Sequence, residues 1–74
     1  MAGRLLPCSR VEFVRKLGNL GYEGPFGGGK HAYMTKEGHP TVTVPNPQAG
    51  EISVGLLAKI LRDSGIDRDD FQNV

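Results

Sequence analysis

The sequence predicts an α+β fold in which a three-stranded antiparallel sheet buries one face against two helices. Three observations carry this expectation. Apolar residues recur at helical spacing over residues 11–20 and again over 54–61. Thr41-Val42-Thr43-Val44 alternates strictly, as a half-buried strand does, and the Gly- and Pro-rich stretch before it breaks into short β-branched and aromatic runs.

The first helix begins at Ser9-Arg10-Val11-Glu12, where the Ser hydroxyl can accept from the N–H three residues on and Glu12 can reach back. Val11, Phe13, Val14, Leu17 and Leu20 form its apolar stripe, leaving Arg10, Arg15, Lys16 and Asn19 to solvent, and Gly21 is placed to end it in the left-handed conformation. Strands follow near Tyr22–Phe26, Lys30–Thr35 and Thr41–Val44, linked by Gly27-Gly28-Gly29 and by a turn at Glu37-Gly38. Pro25 cannot donate to a ladder, so the first strand is short or at an edge. Pro45 and Pro47 stop the third. A second helix starts near Ser53, with Val54, Leu57, Ala58 and Leu61 at i, i+3, i+4 and i+7, and Gly65 closes it. Asp67 caps a last helical turn that folds Phe71 back onto the core.

With 74 residues the chain makes one domain and one small core. Cys8 is the sole cysteine, which excludes an intramolecular disulfide framework and points to a reducing cytoplasm. No apolar run approaches the roughly 20 residues that span a bilayer, and a soluble protein is expected. The formal charge is +1, but up to Ile66 there are eight basic against five acidic residues, so an anionic partner is permitted without being demanded.

The stretch richest in chemistry is Gly27-Gly28-Gly29-Lys30-His31-Ala32-Tyr33-Met34. If Ala32 and Met34 face the helices, His31 and Tyr33 face the open side of the sheet together with Thr41 and Thr43, and Lys30 lies at the strand's edge. A histidine there can take a proton from an RNA 2′-hydroxyl or give one to a leaving 5′-oxygen, with no metal required, while Lys30 steadies the phosphate charge. The same residues also fit an ordinary solvent-exposed face. The triple glycine lacks the spacing of a phosphate-binding or dinucleotide motif and reads as a turn. His39, in Gly38-His39-Pro40, reads as a hairpin tip, and two histidines and one cysteine scattered along the chain do not make a metal site.

The ordered series Ser9-x-x-Glu12-Phe13-Val14-x-x-Leu17-x-x-x-Gly21-Tyr22, Gly29-Lys30-His31, Val42-Thr43-Val44-Pro45, and Gly55-x-Leu57-x-x-Ile60-Leu61-Arg62-Asp63-Ser64-Gly65-Ile66 with Phe71 resembles the HicA (YcfA-like) toxin family. The resemblance implies a double-stranded-RNA-binding-domain-like α-β-β-β-α fold. It further implies an mRNA-cleaving toxin that inhibits translation, is neutralised by a HicB-type antitoxin, and uses His31 as catalytic residue. The family commonly has a small residue before this histidine, where Lys30 stands, and often a second histidine after the Val-Pro segment, where Asn46 stands. The candidate substrate-binding residues are Lys30, Tyr33, Thr43, Arg15 and Lys16. No cofactor and no membrane partner is expected. Two other readings stay open at this point: a non-catalytic RNA-binding module using Arg15, Lys16, Lys59 and Arg62 on phosphates, and a pure protein-interaction domain.

Overall fold

A computed structural model describes residues 5–28, 32–46 and 50–74. The elements run β1 (Cys8–Ser9), α1 (Arg10–Asn19), β2 (Glu23–Phe26), β3 (Tyr33–Thr35), β4 (Val42–Thr43), β5 (Glu51–Ile52), α2 (Val54–Ser64) and α3 (Arg68–Gln72). Strands β2, β3 and β4 form the expected three-stranded antiparallel sheet, in that spatial order, and α1 and α2 cover one face. The helix, three-strand, helix order predicted from periodicity is the observed one, and the last helical turn is present as α3.

Both helix starts obey their caps. Ser9 Oγ accepts from the N–H of Glu12 at 3.1 Å, and Ser53 Oγ accepts from that of Leu56 at 3.3 Å. Only half of the expected reciprocal box forms at α1, because the Glu12 carboxylate turns to Arg15 instead. Both helix ends close with a left-handed glycine. At Gly21, φ +99°, the N–H groups of Gly21 and Tyr22 donate to Gly18 and Leu17; at Gly65, φ +70°, those of Gly65 and Ile66 donate to Arg62 and Leu61. Asp67 caps α3 by accepting from the N–H groups of Asp69 and Asp70.

The core unites Phe13 and Leu17 of α1, Met34 of β3 with Ala32 just before it, Val42 of β4 with Val44 just after it, Ile52 of β5, Leu57 and Leu61 of α2, and Phe71 of α3. Phe71 meets Phe13 with ring centroids 5.9 Å apart, so the short last helix does close over the core as expected. The stripe of α1 is narrower than its sequence suggests. Val11 is 79% exposed, because at 3.6 residues per turn it stands about 160° around the helix from Phe13. Val54, in the first position of α2, is also exposed.

Two further departures concern elements. The ribbon β1–β5, with Cys8 opposite Ile52 and Ser9 opposite Glu51, was not anticipated, since two-residue strands leave no periodicity to read. The strands are also shorter than their runs: β2 starts at Glu23, the described part of β3 is Tyr33–Thr35, and β4 is Val42–Thr43. Gly29, Lys30 and His31, and Pro47 to Ala49, lie outside the described residues.

Candidate functional site

Side-chain alternation decides what the uncovered face of the sheet presents. Ala32 and Met34 are buried, as are Val42 and Val44, so Tyr33, Thr41 and Thr43 point the other way and are exposed. The register places Phe26 opposite Tyr33 and Tyr33 opposite Thr43. One residue from each strand therefore makes a single row across the sheet. Phe26 and Tyr33 are 42% and 40% exposed, and their ring centroids lie 5.7 Å apart at an interplanar angle of 40°.

Phe26 reaches this row through an irregularity. Glu23 pairs with Thr35, so unbroken alternation would set residue 25 opposite Tyr33, yet Phe26 stands there. One extra residue is accommodated between them, at Gly24 and Pro25, as in a β-bulge. Gly24 makes this possible. It has φ +119°, and a Cβ on it would lie 3.0 Å from both the Phe26 nitrogen and the Tyr33 carbonyl oxygen. The sequence pattern pointed to Tyr33 and Thr43 but missed Phe26, because the inserted residue reverses its face; Gly-Pro inside an aromatic run was the available signal.

Thr43 also belongs to a groove of about 290 Å³ between β4 and α2, lined by Thr41, Pro45, Leu56, Lys59, Ile60 and Asp63. Its one cation is neutralised on the spot, Lys59 Nζ being 3.0 Å from Asp63 Oδ2.

Arg15 and Lys16 are not brought to this face. Arg15 is exposed on α1, in the layer behind the sheet, and its guanidinium holds the Glu12 carboxylate through bonds of 2.8 to 3.1 Å. That bond keeps the Glu12 carboxyl below the ordinary carboxylate range. Lys16 was expected in solvent and is instead half-buried. Its ammonium donates to the carbonyls of Phe71, Gln72 and Val74 at 3.2 to 3.4 Å, because the core contact of Phe71 draws those C-terminal carbonyls over α1. Lys36 is likewise engaged: it donates to the Leu20 carbonyl at 2.8 Å and lies 5.6 Å over the Tyr22 ring. His31 and Lys30, expected to carry the chemistry, lie outside the described residues.

A second hollow of about 380 Å³ lies against α3, lined by Leu5, Leu6, Cys8, Lys16 and Phe71. Burial pushes the Cys8 thiol above its ordinary value, against a smaller lowering by Lys16. A raised pKa leaves less of the nucleophilic thiolate at neutral pH. Among the described residues no group of three or more His, Cys, Asp or Glu side chains is placed to hold a metal ion. No described helix is long and apolar enough to cross a membrane.

Fold and exposed face together define a small α+β domain with two helices behind a three-stranded sheet whose other face, among the described residues, is uncovered and carries aromatic and hydroxyl groups. The model of the HicA toxin family, toxins of bacterial toxin–antitoxin systems, matches residues 11–66. The chain belongs to that family, and membership implies a cognate antitoxin as partner. No curated protein and no solved structure matches it.

Proposed function

We propose that this toxin is an endoribonuclease that cuts mRNA by acid/base catalysis at His31, blocks translation in the cytoplasm, and is neutralised by a HicB-type antitoxin. The observation that carries the reading is the family match, whose span from residue 11 to 66 contains Lys30 and His31. In this scheme His31 takes the proton of an RNA 2′-hydroxyl, the 2′-oxygen bonds to phosphorus, and the bond from phosphorus to the 5′-oxygen breaks. The leaving oxygen receives a proton, and a 2′,3′-cyclic phosphate remains. Lys30 offsets charge on the phosphate. Tyr33 and Thr43 supply contacts on the open face, and Arg15 a phosphate contact from α1. Lys16 contacts phosphate in this scheme only by releasing the three carbonyls its ammonium holds.

The test is cleavage of single-stranded RNA by the purified chain with a chelator present, against the His31→Ala variant. Loss of cleavage with retained fold supports the reading. Intact RNA bound by the unsubstituted protein would instead make it a binding module.

A further inference from the structure

We infer that Phe26 and Tyr33 together form a stacking platform for an unpaired nucleobase of single-stranded RNA, with the Thr43 hydroxyl beside it for a base or ribose edge; this rests on RNA being the substrate. The two rings lie on neighbouring strands in direct opposition, 5.7 Å apart, and stay half-exposed, with no described helix packed over them. Half-exposed aromatic rings side by side are costly to leave wet, and the chain maintains them there through the extra residue at Gly24 and Pro25. Without that insertion Pro25, not Phe26, would face Tyr33.

The size of the patch selects the occupant. At roughly 200 Å² for each aromatic side chain, two rings exposed by about two-fifths offer on the order of 80 Å² apiece. A stable protein interface, whether to an antitoxin or to a second copy of this chain, needs about 800 Å² from each partner. The platform alone is about fivefold too small for that role and matches the face of one or two bases. An unpaired base has such a face free, whereas bases in a duplex have both faces covered by neighbours.

Charge refines the geometry. Glu23 shares this face in the adjacent row, opposite Thr35, and repels phosphate. The row of Phe26, Tyr33 and Thr43 is uncharged, so what it contributes to affinity does not depend on counterion release. Variants of the platform therefore weaken binding at every salt concentration without changing the salt slope, and removal of a phosphate-contacting cation lowers that slope.

The experiment uses the full chain and a short 2′-O-methyl single-stranded RNA bearing one 2-aminopurine, a probe that cannot be cut through its 2′-oxygen. The unsubstituted protein quenches the probe on binding. Phe26→Leu and Tyr33→Leu, which keep apolar bulk but lose the π-face, raise Kd by about tenfold and abolish quenching, with the salt slope unchanged and far-UV circular dichroism as for the parent. Tyr33→Phe binds within about twofold of the parent, since it keeps the stacking face.

Binding and quenching by both leucine variants at the parent level overturn the platform, as does loss of antitoxin binding with RNA binding intact. Failure of the unsubstituted protein to bind the probe overturns it as well. A parent that quenches the probe yet leaves natural RNA uncut keeps the platform and removes the nuclease reading. A parent that cuts RNA while both variants bind normally does the reverse.

Discussion

The Lys16 ammonium sits 5.4 Å above the centre of the Phe71 ring and also donates to the carbonyl oxygen of Phe71 at 3.3 Å. One side chain of α1 thus holds α3 by its aromatic face and its backbone at once. Lys16→Ala is expected to cost about 1–2 kcal/mol, from cation–π and hydrogen-bond contributions of ordinary size. Lys16→Met, which keeps the apolar stem, recovers part of it. Urea denaturation separates the two.

Phe71→Ala is harsher. The ring is 2% exposed and packs on Phe13, and emptying such a site costs about 3–5 kcal/mol. A domain this small has little more than that in reserve, so the variant should be largely unfolded at 37 °C by near-UV circular dichroism.

Gly24→Ala places a methyl 3.0 Å from two backbone atoms at φ +119°. A cost of about 1–3 kcal/mol follows. For a chain of this length each kcal/mol lowers Tm by roughly 4–8 °C. The variant also separates Phe26 from Tyr33, so the fall in Tm and the loss of 2-aminopurine quenching should appear together.

Cys8 offers a pH test. Burial raises its pKa in the folded state, so folding favours the neutral thiol. Stability is then at its full value below the ordinary thiol pKa and declines as pH rises through the folded value. Alkylation by iodoacetamide near pH 8 should be slower than for a free thiol and should accelerate in urea. Equal rates in both conditions would contradict the assigned burial.

Glu12 behaves oppositely. Its carboxyl is held down first by the bond from Arg15, so any contribution of this pair is present above the ordinary carboxyl range and fades as pH falls through the lowered value. The pair is solvent-exposed, and Arg15→Ala should leave Tm nearly unchanged. If Arg15 contacts phosphate, the same substitution lowers the salt slope of RNA binding by about one. His31→Ala, by contrast, should slow cleavage by about 10² to 10⁴ while leaving Tm unchanged.

What was legible in the sequence divides along physical lines. Helix caps at Ser9, Ser53 and Asp67, the left-handed glycines 21 and 65, and the inward valines 42 and 44 are local or periodic signals, and each stands where expected. Lys16 and Phe26 were misread or missed because their fate is set at a distance. The first depends on carbonyls more than fifty residues away, and the second on an inserted residue that reverses strand parity. Val11 failed for a simpler reason, as apolar character outweighed angular position in reading the stripe.

The ribbon of Cys8–Ser9 and Glu51–Ile52 leads directly into both long helices, since Ser9 caps α1 and Ser53 follows Ile52 to cap α2. The two helices thus share a starting block closed by residues more than forty apart in the chain. Loops of that length are slow to close. Zippering of the ribbon is thereby expected to gate the folding rate, and Ile52→Ala should slow refolding in stopped-flow more than Thr43→Ala does.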